Sequence, residues 1–173
     1  MKIKGITDEC FTDYKKPSLY IAFPNCSFKC DKENGNQYCQ NWSLTKEPTV
    51  EVDKEALLQR YVNNPITEAI VLGGLEPFDS QLDLYPFIDC ARRQFKITDP
   101  IIIYTGYTEE ELEQGNFGVI HDITCQKQYW HNIKNSGNII VKFGRYRPND
   151  KPHYDDILGV SLASNNQYAR EFK

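Results

Sequence analysis

The stretch AIVLGGLEPFD, residues 69–79, decides the fold class. It begins with four apolar residues, Ala69 to Leu72, which predict a short buried strand because both faces of the run are apolar. The strand is predicted to end at Gly73-Gly74. Residues 53–63 before it place Leu57, Leu58 and Tyr61 on one helical face, with Asp53 as the N-cap. The segment therefore reads as the second half of a helix–strand unit.

The same alternation continues on both sides of this unit. A second helix is predicted to begin near Asp83, which would put Pro86 in its first turn, and to run to Phe95. A short helix is predicted from 109 to Gly115, because Thr108 and Glu111 form a capping-box pattern. Cys125 falls in a stretch that reads as irregular. Further strands are predicted at 18–23, 101–104, 138–143 and 158–162, and a long polar loop at 144–156.

Apolar strands alternating with helices predict an α/β fold with a mostly parallel sheet. A complete eightfold barrel takes about 250 residues, so this chain of 173 residues is predicted to form a single domain, 1–173, shaped as a partial (βα) barrel. In parallel sheets, ligands bind at the carboxyl ends of the strands. Cys26, Gly73-Gly74 and Thr105-Gly106 are all expected at that edge.

Composition narrows the function classes. The net charge of −4 argues against a nucleic-acid partner, because phosphate binding needs clustered Lys and Arg. The apolar runs are too short to cross a bilayer, and the N-terminal residues have no signal-peptide pattern. We therefore expect a cytoplasmic protein. In a reducing compartment, clustered cysteines indicate metal binding or catalysis more often than disulfides.

Half of the six cysteines lie in the spacing C-x3-C-x8-C, at Cys26, Cys30 and Cys39. They follow a predicted strand, in a segment without a helical pattern. A zinc site normally has four ligands, and no fourth is evident here. Three thiolates on a four-iron cluster would leave one iron open, which suits chemistry rather than electron storage. A structural zinc knuckle, or simply reduced cysteines, remains the alternative.

Three motifs together resemble the radical S-adenosylmethionine (SAM) enzymes. The first is C-x3-C followed by Tyr38-Cys39, although the gap before Cys39 is six residues longer than usual in that family. The second is GGLEP at 73–77, similar to the family's GGE-P motif with Leu75 inserted. The third is YTGY at 104–107, which is similar to the activating proteins of anaerobic ribonucleotide reductase, and LASNNQ at 162–167 adds a looser match.

The resemblance implies a radical SAM-type barrel and a set of site residues. Cys26, Cys30 and Cys39 would bind a [4Fe-4S] cluster whose open iron is chelated by SAM. The SAM amino group would lie near Gly73, Gly74 and Glu76, and the adenine near Tyr38. Tyr104 and Thr105 would face SAM. Lys142 and Arg145 are weaker candidates for the SAM carboxylate. Cys10 is left open between a spare thiol near the site, or even a fourth ligand, and a bystander; Cys90 is expected to be a small core residue, and Cys125 is assigned no role.

The resemblance also implies an activity. The enzyme would reductively cleave SAM to a 5′-deoxyadenosyl radical and so generate a glycyl radical on a partner such as anaerobic ribonucleotide reductase. Its electron would come from a flavodoxin- or ferredoxin-type donor. Two alternatives stay open: a stand-alone radical SAM enzyme acting on another protein or a small molecule, and a non-catalytic zinc-binding interaction module.

Overall fold

The computed structural model describes residues 1–120 and 122–173. Its five α-helices within those residues are α1 (Lys29–Asn34), α2 (Lys54–Asn63), α3 (Gln81–Arg93), α4 (Glu109–Gln114) and α5 (Ile123–Lys134). The first five strands are β1 (Lys2–Ile3), β2 (Gly5–Cys10), β3 (Ser18–Phe23), β4 (Val50–Glu51) and β5 (Ala69–Gly74). They are followed by β6 (Ile101–Tyr104), β7 (Ile139–Phe143), β8 (His153–Asp155), β9 (Val160–Leu162) and β10 (Tyr168–Phe172). Short 3₁₀ turns lie at Trp42–Thr45 and Pro77–Asp79.

A six-stranded sheet forms the centre of the domain, in the order β10-β7-β6-β5-β3-β2. The four inner strands β3, β5, β6 and β7 are parallel, and the two edge strands are antiparallel to them. The register pairs Phe23 with Gly74 and Tyr104 with Lys142. This confirms the predicted α/β domain with a mostly parallel sheet, and the arrangement is compatible with a partial barrel.

The two faces of the sheet are covered differently. Along β5, Ile70 and Leu72 pack into the larger apolar cluster, together with residues of α2, α3 and α5. Ala69 and Val71 point to the other face, where Leu158 and Leu162 pack against them in a smaller cluster. Because side chains alternate along a strand, a strand buried on both faces must be apolar throughout, as the run at 69–72 is.

Most predicted elements agree with the structure, but the start of one helix, the stretch containing Cys125, the segment around Cys30 and the loop at 144–156, which contains β8, were predicted wrongly. Helix α3 begins at Gln81 rather than near Asp83, so Pro86 lies in its second turn. Ser80 ends the preceding 3₁₀ turn and its carbonyl accepts from the Leu84 amide, which starts the helix earlier. The stretch containing Cys125 is the helix α5, capped by Asp122. In residues 1–120 and 122–173, no helix has the length and apolar character needed to cross a membrane.

Candidate functional site

One cavity of about 320 Å³ opens at the carboxyl ends of the parallel strands. This volume lies at the lower end of the range of about 300–1,000 Å³ that is usual for small-molecule sites. The predicted site residues in its lining are Cys26, Cys30, Cys39, Gly74, Glu76, Tyr104 and Thr105. The structure therefore brings together, in one cavity, residues that are up to 79 positions apart in the sequence.

The cysteine loop, residues 24–46, forms one wall of the cavity. Cys26 lies three residues after the end of β3, and its sulfur accepts a hydrogen bond from the Phe28 amide at 3.2 Å. Burial raises the pKa of the Cys26 thiol to about 12. Cys30 lies in the first turn of α1, so the expectation of a loop without helix was wrong here. Gly35 ends this helix with φ +70, a backbone conformation that glycine adopts without strain.

After the six residues by which this gap exceeds the usual spacing, the chain turns back so that Cys39 lies near Cys30. Interaction with the neighbouring Cys39 thiol raises the pKa of Cys30, and the same interaction lowers the pKa of Cys39. The Asp31 carboxylate holds this return, because its Oδ1 accepts the backbone N–H groups of Tyr38 and Cys39, both at 2.8 Å. The long gap is therefore a helical turn closed by one carboxylate. All six cysteines are free thiols.

The glycine edge, residues 73–76, forms the facing wall. Gly74 has φ +86, and an added Cβ would lie 2.6 Å from the Phe23 nitrogen on the neighbouring strand. A Cβ on Gly73 would lie 3.0 Å from the Tyr20 hydroxyl, which accepts a hydrogen bond from the Gly74 amide at 2.7 Å. At Gly74 this is a close approach of backbone that a side chain would prevent, whereas at Gly73 the Tyr20 ring would have to shift by a few tenths of an ångström.

Glu76 is buried at the end of this edge. Its carboxylate accepts hydrogen bonds from the Thr105 hydroxyl at 2.8 Å, the Gly106 amide at 2.8 Å and the Phe78 amide at 3.1 Å. Burial, with a smaller contribution from the charge of Asp79, raises the pKa of Glu76 to about 8. The side chain is a fixed acceptor whose negative charge would be stabilised by a bound cation.

Asp79 links the two walls and was not singled out from the sequence. Its carboxylate accepts the Ser27 amide at 2.5 Å and the Tyr107 hydroxyl at 2.6 Å. The backbone adds a second link, from the Glu76 amide to the Asn25 carbonyl at 2.7 Å. Asn41 adds a third, donating to the Gly74 carbonyl at 2.5 Å. The sequence offered one indication that Asp79 matters. It is a carboxylate that lies between Phe78 and Ser80, directly before a helix that is buried.

The other residues predicted to contact SAM lie partly in the cavity lining and partly outside it. Tyr104 lines the cavity, and its hydroxyl donates to the Asp13 carbonyl at 2.5 Å. Lys142 is buried, donates to the Gly144 carbonyl at 2.9 Å and has a pKa lowered to about 8 by burial. Arg145 is paired with Glu111 at 2.6 Å. Tyr38 is 37% exposed, and both Tyr38 and Gly73 lie outside the cavity lining.

The other three cysteines lie elsewhere. Cys10 ends β2 and hydrogen-bonds the Asp13 carboxylate at 2.9 Å, Cys90 is buried on α3, and Cys125 is exposed on α5. Among the described residues, no three His, Cys, Asp or Glu side chains lie close enough together to hold a single metal ion. Cysteine thiolates are the usual ligands of iron–sulfur clusters, and the cavity offers three of them, one fewer than the usual four.

The fold and the three thiols define an α/β domain of the kind that holds an inorganic cluster. A family model described as "4Fe-4S single cluster domain" matches residues 16–145, and the chain belongs to this family, which is found in radical SAM-type proteins. The match includes all three cysteines and both walls of the cavity. No curated protein and no solved structure matches the chain.

Proposed function

We propose that the protein is a radical SAM enzyme that activates a glycyl-radical enzyme such as anaerobic ribonucleotide reductase. The observation that carries this proposal is the single cavity joining three free thiols to the glycine edge and Glu76. A cluster site without a neighbouring cofactor pocket would suit electron transfer alone. Membership of a 4Fe-4S family favours an iron–sulfur cluster over zinc.

The residues of the chain divide the binding tasks between them. Cys26, Cys30 and Cys39 would hold the cluster. Glu76 offers a buried acceptor that suits the ammonium group of SAM, and Lys142 offers a buried cation that suits its carboxylate. When bound, the cluster would supply the single electron that breaks the C5′–S bond of SAM, which releases methionine and a 5′-deoxyadenosyl radical.

The identity of the protein substrate is the more specific part of the proposal. The radical would take a hydrogen atom from a glycine of the partner enzyme, leaving 5′-deoxyadenosine and a glycyl radical. The motif YTGY at 104–107 supports this subfamily, whereas GGLEP at 73–77 supports the radical SAM enzymes as a whole. The electron donor would be a flavodoxin or a ferredoxin.

Reductive cleavage is tested by anaerobic reconstitution with iron and sulfide, followed by addition of SAM and dithionite. We expect about four irons per chain and 5′-deoxyadenosine detectable by chromatography. Cys26→Ala, Cys30→Ala and Cys39→Ala should each reduce the product to background, whereas Cys90→Ala should match the unmodified protein. A colourless protein with one zinc would disprove the proposal.

The glycyl radical requires a separate measurement. The reconstituted protein is mixed with SAM, dithionite and the anaerobic ribonucleotide reductase of the same organism, and the reductase is examined by electron paramagnetic resonance. A protein-based radical that is lost in the Cys39→Ala variant is expected. SAM cleavage without this radical would assign the enzyme to another substrate.

A further inference from the structure

The helix α1 of the cysteine loop is bound to the rest of the domain by an ion network of four residues. Lys29 and Glu33 lie four positions apart, on one face of this helix, and Cys30 lies between them in the sequence. The Lys29 Nζ lies 3.3 Å from Oε1 of Glu111, and Oε1 of Glu33 lies 3.4 Å from Nε of Arg145. Arg145 also donates through Nη2 to both Glu111 oxygens, at 2.6 and 2.8 Å. The network therefore connects the helix of the second cysteine to α4 and to the loop after β7.

The Tyr107 ring lies against both cations of the ion network. Its centroid is 4.5 Å from the Lys29 Nζ and 5.8 Å from the Arg145 Cζ, within the range of a cation–π interaction. The Tyr107 hydroxyl is held by Asp79, and Lys29 also donates to the Asn116 carbonyl at 3.2 Å. Only 10% of the Arg145 side chain is exposed. Contacts with the protein, rather than water, thus fix where the two cations lie.

The charges of the ion network are arranged by sign. Lys29 and Arg145 line the main cavity together with the three cysteines, whereas Glu33 and Glu111 lie outside its lining. The cationic residues therefore border the cavity, and their carboxylate partners lie farther from it. A cluster held by three thiolates would carry a net negative charge, which increases when the cluster accepts an electron. Cations beside it favour the reduced form, because nearby charge sets the reduction potential.

We propose that Lys29 and Arg145 are positioning residues for the iron–sulfur cluster, which hold Cys30 beside the cavity and make the cluster easier to reduce. Arg145 is thereby assigned to the cluster and not to the SAM carboxylate. The inference rests on the part of the proposed function that places a cluster on the three cysteines, and it does not require SAM cleavage. The electron comes from the external donor, and no bond of the ion network forms or breaks covalently.

The test is a redox titration of the reconstituted protein, in which the reduced cluster is followed by electron paramagnetic resonance. Lys29→Gln and Arg145→Gln should each lower the equilibrium constant for reduction about tenfold, which is about 59 mV for a one-electron couple. Glu111→Gln should raise the potential, because it removes a negative charge, while glutamine still suits the capping box. Lys29→Arg retains the charge and should retain the potential.

Lys32→Gln is the matched control. Lys32 lies on the same helix, two positions after Cys30, but it is exposed and lies outside the cavity lining. Loss of its charge should leave the potential unchanged, since water and salt screen an exposed charge. Equal shifts in Lys32→Gln and Lys29→Gln would overturn the inference.

The opposite signs of the shifts distinguish this role from a structural one. Loosening of α1 alone would lower the iron content of the variants, but it would not move the potential down in Lys29→Gln and up in Glu111→Gln. These two variants also carry the test if Arg145→Gln holds too little iron to titrate. Unchanged potentials, or shifts of one sign in all three variants, would overturn the inference.

The Kd for SAM, measured by calorimetry, separates the two roles of Arg145. It should be the same in Arg145→Gln and in the unmodified protein at equal iron content. A Kd raised about tenfold, with an unchanged potential, would assign Arg145 to SAM and overturn the inference for this residue. Absence of 5′-deoxyadenosine from the unmodified protein would refute SAM cleavage without affecting these potentials, whereas absence of a cluster would refute both the proposed function and the inference.

Discussion

The two walls of the main cavity are built in different ways. In β5, which ends in the glycine edge, all six residues are buried; beyond the strand Leu75 is half-buried, and Glu76 and Asp79 are buried. In the cysteine loop, every residue of α1 and of the turn Trp42–Thr45 is exposed or half-buried. The glycine edge is thus held by the core, whereas the cysteine loop is held mainly by hydrogen bonds to the glycine edge.

This difference shows how the domain can form one half of its site before an iron–sulfur cluster binds. Burial of apolar side chains stabilises the glycine edge without any ligand. The cysteine loop depends on a few contacts, such as Asp79 with Ser27 and Asn41 with Gly74. Since these contacts are worth about 1 kcal/mol each, thiolate–iron bonds are expected to complete the order of this wall. Substitutions in the two walls should therefore differ in how much unfolding free energy they cost and in how much they lower the iron content.

The largest contrast is expected between two glycines with similar backbones. Gly74→Ala places a methyl group 2.6 Å from the Phe23 nitrogen, against a rigid neighbouring strand, so we expect a loss of more than about 3 kcal/mol in the free energy of unfolding. Gly35→Ala has nothing within 4 Å of the new methyl group, and its φ of +70 alone should cost about 1 kcal/mol. Urea unfolding followed by tryptophan fluorescence measures both. Equal losses would contradict the contrast between the walls.

Asp79→Ala is expected to have the next largest effect, because it removes the link between the walls. The Ser27 amide and the buried Tyr107 hydroxyl both lose their acceptor, which should cost about 2–4 kcal/mol. The variant should also retain less iron after reconstitution. Asp89→Ala is the control, since Asp89 is paired with Arg93 at the surface and its loss should cost less than about 0.5 kcal/mol. Normal iron content in Asp79→Ala would show that the link is dispensable.

The fold was largely predictable because its determinants are local. The apolar runs at 69–72 and 101–104 must be buried on both faces, and the capping residues Thr108 and Glu111 form the predicted capping box. The start of α3 was misplaced because it depends on the preceding 3₁₀ turn, a feature without periodicity. Helix α5 was missed because its buried face, formed by Gln126, Trp130 and Ile133, includes a polar residue and so does not read as an apolar stripe.

The site was less predictable, because its connections are long-range. The motifs identified the cysteines and the glycine edge separately, and the predicted carboxyl edge of the sheet brought them together. The contact of Asp79 with Ser27 spans 52 positions, and no local pattern indicates such a pair. The Asp31 carboxylate and the residues that it binds are closer in sequence. Its partners are backbone amides, however, so the pattern of side chains does not indicate these hydrogen bonds.

Glu76 offers a comparison in which the effect on stability depends on pH. Its pKa is raised from 4.5 to about 8 in the folded protein, so the folded state binds the extra proton, and stability is lost as the pH rises from about 5 to about 8. The lowered pKa of Lys142 acts in the opposite direction, but only above about pH 8. Glu76→Gln should therefore flatten the fall in unfolding free energy between pH 5 and pH 8. The same slope in both proteins would show that Glu76 ionises normally.

The smallest effect on stability is expected at Asp31, in the cysteine loop itself. Asp31→Ala removes the acceptor of two half-exposed backbone amides, at Tyr38 and Cys39, which water can partly replace, so the loss should be about 1 kcal/mol. The position of Cys39 depends on this clamp, however, and the iron content should fall more than the stability does. Asp31→Asn keeps one acceptor oxygen and should recover part of the iron. If iron content and stability instead fell in proportion, Asp31 would only support the fold, and the six additional residues would have no part in positioning the third thiol.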